Sequence, residues 1–176
     1  MTHLQYPIGK FIKPGQVSSQ LLDKLIVTIE TFPDRLKKEV AHLNDSQLDT
    51  PYRPEGWTIR QVIHHCCDSH MNGFIRHKLT LVEHKPTIKP YPEALFAELT
   101  DSVAMPIEPA LQLLEGLHKK WAVLMKSMKM EDLKRIYIHP EHGREFELGE
   151  SIALYAWHSD HHLAHITSLK KSKDWS

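Results

Sequence analysis

Residues 150–170 read ESIALYAWHSDHHLAHITSLK. Leu154, Tyr155, Ile166 and Leu169 fall on one face of an α-helix, and no Pro interrupts the run. Three further segments carry the same periodicity. Residues 18–43 place Leu22, Leu25, Ile26, Ile29, Leu36, Val40 and Leu43 at helical spacing, with Pro33 expected to kink or interrupt the helix. A second helix starts at Thr58, where Thr58-Ile59-Arg60-Gln61 has the form of a capping box, and ends near His84 ahead of Lys85-Pro86. Residues 108–128 make the third, with Leu111, Leu114, Leu117, Trp121, Leu124 and Met128 on its apolar side and Pro109 in its first turn.

Between the second and third helices, Pro86, Pro90, Pro92 and Pro106 mark an extended crossover with a turn of helix near residues 93–99. Residues 136–138 and 145–148 flank the turn-forming HPEHGR and predict a small hairpin before the last helix. Four long amphipathic helices with one long crossover predict an all-α fold, an antiparallel four-helix bundle. No repeat or linker divides the chain, so residues 1–176 are expected to form a single domain.

Composition narrows the function classes. The 22 Lys and Arg balance 22 Asp and Glu, which argues against nucleic acid as partner because phosphate binding needs a clustered basic field. Apolar runs fall short of a bilayer span, so no membrane partner is expected. The start MTHLQYPIGKF lacks the features of a signal peptide, giving a cytoplasmic expectation. Cys66 and Cys67 are adjacent and cannot build a disulfide framework. Histidine is the anomaly: the chain has 14, grouped as His64, His65, His70, His77 and His84, and as His158, His161, His162 and His165.

The last helix gives these groups a geometry. On a wheel of about 100° per residue with His158 at zero, His162 lies roughly 40° away and His165 roughly 20° away, inside the apolar face, while His161 lies roughly 60° away at its edge. A single histidine on an apolar face is usually a hydrogen-bonded core residue. Two at i,i+4 each need a separate partner, and that spacing offers two nitrogens to one ion. His158 with His162 therefore ranks above the competing pair His161 with His165. In the second helix, His65, Ser69, Asn72 and Arg76 form a polar stripe beside the core. That spacing favours His65 over His64 as a third ligand without deciding between them. Arg76 is suited to a substrate carboxylate and Asn72 lies one turn before it, which makes both candidate substrate-binding residues. A ligand role for Cys66 or Cys67 is the weaker reading, because small thiols often fill a core.

Three imidazoles with an open fourth position are the pattern of a catalytic zinc site; nickel and iron also accept imidazole. Glu83 shares the His65 stripe but sits too many turns away to act as a general base at the metal.

The segment DSQLDTPYRPEGWTIRQVIHHCCDSHMN, followed about ninety residues later by YAWHSDHHLAHI, resembles the DinB/YfiT-like metalloproteins, nearest the YfiT branch of metal-dependent hydrolases. YPIGKF and RHKLTL extend the resemblance over nearly the whole chain. The family pattern of a Trp-Thr helix start, a His some eight residues on and His-x-x-x-His in the last helix falls on Trp57-Thr58, His65, and His158 with His162. The resemblance implies a four-helix bundle, one divalent metal per subunit, and a homodimer. Cys66-Cys67 depart from the small apolar pair of that pattern. The function expected is a metal-dependent hydrolase acting on a small molecule. One alternative is a metal-dependent S-transferase using a low-molecular-weight thiol such as bacillithiol; another is a non-catalytic, metal-binding stress-response module.

Overall fold

The computed structural model describes residues 2–175, so Met1 and Ser176 of the expected 1–176 span lie outside the described residues. The elements in chain order are α1 (Thr2–Gln5), α2 (Ser19–Val40), α3 (Asp45–Leu48), α4 (Ile59–Val82), α5 (Glu93–Phe96), α6 (Thr100–Val103), α7 (Glu108–Lys126), β1 (Ile136–His139), β2 (Arg144–Glu147) and α8 (Leu148–Ser172). The four long helices α2, α4, α7 and α8 form the bundle: α2 packs on α7 and α8, and α4 packs on the same two. The expected all-α bundle with a pre-terminal hairpin is the fold observed.

Local chemistry places the ends. The Ser18 hydroxyl accepts from the Leu21 amide to start α2. At α4, the Thr58 hydroxyl accepts from the Gln61 amide at 3.1 Å while the Gln61 carbonyl oxygen accepts from the Thr58 amide at 2.9 Å, the reciprocal capping box. Arg60, within the same turn, is buried and donates to Asp45, Asp49 and the Met105 carbonyl, tying α4 to α3 and to the crossover. Those two carboxylates raise its pKa further against the cost of burial. The helix ends at Val82, two residues before the expected boundary, with Glu83 extended and Lys85 in the left-handed region ahead of Pro86.

Pro33 does not interrupt α2, which runs unbroken through it. On α7 the buried face is rotated from the expected one: His118 and Met125 are fully buried with Leu114 and Trp121, while Leu111, Leu117 and Leu124 are only partly covered. The cause is the placement of α2 and α4 on either side of α7, which sequence periodicity does not specify.

The hairpin pairs Ile136 with Glu147 and His139 with Arg144, and stacks Tyr137 on Phe146 with ring centroids 5.4 Å apart. Two short strands are marginal alone. Here the crossover joins them, the Ile88 amide donating to the Ile138 carbonyl and the Ile138 amide to Pro86. Leu148 then enters α8 directly, so the hairpin sets where α8 begins. Two apolar clusters fill the bundle, one around Phe32, Ile63, Cys66 and Ile166, the other around Ile29, Trp121, Ile152 and Tyr155. Among the described residues, no helix is long and apolar enough to cross a membrane.

Candidate metal centre

The capping box fixes the register of α4, which brings His65, just beyond its first turn, toward α8 beneath the ring of Trp57, 4.6 Å away. His158 and His162 rise from α8 on one face. The Nε2 atoms of His65 and His158 stand 3.3 Å apart, and those of His162 and His158 stand 3.2 Å apart. Tetrahedral coordination by nitrogen at about 2.0–2.1 Å needs nitrogen–nitrogen separations of roughly 3.3–3.4 Å. The two separations lie close to that span, and the three rings, each offering one ligand atom within 4.8 Å of the others, form a group that could hold a metal ion.

Electrostatics agree with this donor chemistry. Burial pushes the His65 pKa down to about 4, assisted by the nearby rings of His161 and His165. It holds His158 and His162 well below the ordinary imidazole value, again with neighbouring rings adding to the effect. Neutral imidazoles keep a lone pair for a metal at physiological pH. The rings line a cavity of about 360 Å³ whose walls include Tyr6, Tyr52, Trp57, Trp157, Glu55 and Glu93. His158 and Glu93 also line a second cavity of about 460 Å³, shared with Ser69, Arg76, Tyr91 and Tyr155.

The other candidates separate in space. Arg76 reaches the second cavity, on the far side of His158, whereas Asn72 turns its amide back to the Asp68 carbonyl at 2.8 Å. His64 points away from the trio, toward the Met105 backbone. Cys66 is enclosed in the core, and the Cys67 thiol donates to the Ala110 carbonyl at 3.1 Å. Burial raises both thiol pKa values, Cys67 to about 12, so neither offers a ready thiolate.

His161 departs from the helical-wheel reading. It is buried with His165, and the three residues His161, His162 and His165 also form a group able to hold a metal. The cover comes from the N-terminal segment: Tyr6 lies against His161, and the Gln5 carbonyl accepts from His165 Nε2 at 3.1 Å. His161 stacks on Trp157 and His165 on Tyr52. In the first trio the Nε2 atoms of His65 and His162 both lie beside that of His158, whereas His165 commits Nε2 to a carbonyl and leaves Nδ1 as its ligand atom.

Three functional candidates were not singled out from the sequence. His70 and His118 stand behind His158, fully buried and hydrogen-bonded to one another at 2.8 Å. Glu93 comes from the proline-rich crossover, where no periodicity marks it. The only local signal for His118 is its place among Leu114, Trp121 and Met125 at helical spacing.

The sequence profile of the DinB superfamily matches residues 28–166. A protein of Bacillus cereus (strain 03BB102) named "Putative metal-dependent hydrolase" is 50% identical over 175 residues, covering 99% of this chain and 100% of its own. A similarly named protein of Bacillus thuringiensis subsp. konkukian (strain 97-27) matches with the same identity and coverage. Among solved structures, YfiT from Bacillus subtilis, described as a probable metal-dependent hydrolase with an unusual four-helix bundle topology, superposes with a TM-score of 0.97. The identity is 44%, over 99% of each chain.

Proposed function

This chain belongs to the DinB superfamily, and on that premise we propose that it is a metal-dependent hydrolase of a small molecule, with His65, His158 and His162 holding one divalent metal. The observation that carries the reading is that the Nε2 atoms of His65 and His162 lie 3.3 and 3.2 Å from that of His158, three imidazoles lining one cavity. Zinc is the first choice for three nitrogen donors and nickel the second. When bound, such a cation supplies Lewis acidity and acidifies a coordinated water toward about pH 7.

The chain's own residues do the rest. Trp57 and Trp157 wall the cavity and restrict water, and its volume suits a small substrate. Glu93 is the carboxylate shared by both cavities beside His158, and we assign it the role of general base, to take a proton from a water and return it to the leaving group. Arg76 lies in the adjoining cavity, where its guanidinium would hold a substrate carboxylate. Asn72, committed to its own helix, plays the lesser part. The reading extends to a homodimer, supported by the apolar Ile75 and Val82 left exposed two turns apart on α4. A monomer mass in light scattering would count against that extension.

The test is metal-loaded protein offered an activated ester, and separately a low-molecular-weight thiol with monochlorobimane. Metal-dependent ester hydrolysis that is lost in His158→Ala and reduced in Glu93→Gln, with metal retained in the latter, is expected. Thiol consumption without hydrolysis would replace this reading by thiol transfer. Stoichiometric metal with neither reaction would leave a binding module.

A further inference from the structure

Pro33 lies inside α2 and has no amide hydrogen, so the Ile29 carbonyl one turn earlier loses its helical donor. Ile29 is fully buried, and water cannot take the donor's place. The vacancy is filled from α7: His118 Nδ1 lies 2.5 Å from the Ile29 oxygen. A carbonyl oxygen only accepts, so the proton of His118 sits on Nδ1.

That one assignment propagates. A neutral His118 then has a bare Nε2, which lies 2.8 Å from His70 Nδ1, so His70 must donate there. His70 in turn has a bare Nε2, 2.9 Å from His158 Nδ1, so His158 donates from Nδ1. His158 Nε2 is left without a proton, and it is the atom facing both His65 and His162. Both rings are fully buried, where an uncompensated charge is costly, and each spends its two nitrogens on the contacts just named. Phe32, Trp121 and Tyr155 pack around His70, with ring centroids 5.4, 6.0 and 5.6 Å away.

We propose that His70 and His118 are positioning residues for the metal centre: a relay of three imidazoles, started by the carbonyl that Pro33 leaves free, holds His158 as the Nδ1–H tautomer with Nε2 aimed at the metal. The relay rests on the reading of His158 as a ligand. It differs from the usual arrangement, in which a carboxylate or carbonyl meets the ligand histidine directly. Here the carbonyl acts from two rings away, across four elements of sequence that share no local pattern.

The experiment reads tautomers first, in metal-free protein, so that it does not depend on metal binding. Long-range proton–nitrogen correlation spectra of ¹⁵N-histidine protein should show Nδ1-bound protons on His118, His70 and His158. Zinc and nickel are then titrated by calorimetry. His118→Phe should lose the single tautomer at His158 and bind metal about 10–100-fold more weakly, the range typical for loss of an outer partner. His118→Gln keeps a donor for Ile29 and an acceptor for His70, and should restore both tautomer and affinity. A purely structural role for His118 would not give that pattern, because both variants would then differ only in folding stability. His158 protonated on Nε2 in the wild type, or metal affinity unchanged in His118→Phe, overturns the relay. Should His118→Phe not fold, the wild-type spectrum and the His118→Gln titration still decide. The expected tautomers in a protein that takes up neither metal would overturn the metal reading instead, so the two failures are read separately.

Discussion

The Nε2 atoms of His158 and His162 lie 3.2 Å apart on consecutive turns of α8. His161, between them in sequence, stacks its ring on Trp157 and lies against Tyr6, while its edge stays near His162 with ring centroids 5.1 Å apart. The two neighbours thus differ in their contacts: His162 meets His158 through Nε2, and His161 rests on aromatic rings. His162→Ala is expected to abolish stoichiometric zinc while circular dichroism stays helical, because α8 keeps its apolar contacts. His161→Ala should largely spare the metal. Elemental analysis of both variants checks this, and the opposite result would move the site to the group formed by His161 and His165.

Metal should stabilise the fold without being required for it. Each long helix buries its own apolar face, so the metal-free chain is expected to remain helical and to melt cooperatively. Free zinc at a hundredfold excess over its dissociation constant adds about 2.7 kcal/mol to the native state. For a chain of this length that raises the melting midpoint by roughly 5–10 °C. Scanning calorimetry with and without chelator measures the difference; a random-coil spectrum without metal would contradict the expectation.

His77 gives a pH dependence separate from the metal site. It is fully buried, accepts from Trp121 Nε1 at 2.9 Å and contacts Ser151 Oγ at 2.9 Å. Burial, followed by the nearby Arg76, lowers its pKa to about 3. At this residue the unfolded chain, with an ordinary imidazole near 6.5, therefore binds one more proton than the folded chain between those two values. Stability is full above about pH 6.5 and falls as the pH drops toward 3, with this group contributing a slope of about 1.4 kcal/mol per pH unit inside the window. Urea titrations from pH 7 to pH 4 should show a shallower fall in His77→Asn than in wild type. Parallel curves would remove the assignment.

Gly73 allows α4 to approach α7 and α8. A methyl group there would collide with the Tyr155 ring and come within 2.8 Å of Trp121 Cη2, both rings being tightly enclosed. Gly73→Ala should therefore destabilise the bundle by about 1–3 kcal/mol, despite the better helix propensity of Ala. Chemical denaturation is the measure, and a stabilised variant would show that the packing yields more easily than these contacts imply.

Much of the architecture was legible in the sequence because it depends on local chemistry. Thr58 and Gln61 announce the start of α4, Lys85-Pro86 its end, and the turn HPEHGR the hairpin between β1 and β2. Spacing on α8 distinguished His158 and His162 from Asp160, which the fold pairs with Arg35. Local patterns reached their limit at Pro33, expected to kink or interrupt a helix that runs on through it. Whether a proline breaks a helix depends on who satisfies the freed carbonyl, and that donor lies 89 residues away.

The sequence by itself determined the four long helical segments, about where they begin, and that His158 and His162 share one face of α8, since caps, breakers and periodicity all act within a few turns. Only the tertiary structure decided which inward histidines meet. The N-terminal segment folded over α8 buried His161 and His165, which a wheel of α8 alone left divided between edge and face. The crossover delivered Glu93 to the cavity from a stretch without periodicity. His118 reached His158 through His70 because α7 packs on both α2 and α4, and a hydrogen bond between distant segments forms only once packing has brought its two atoms within about 3 Å.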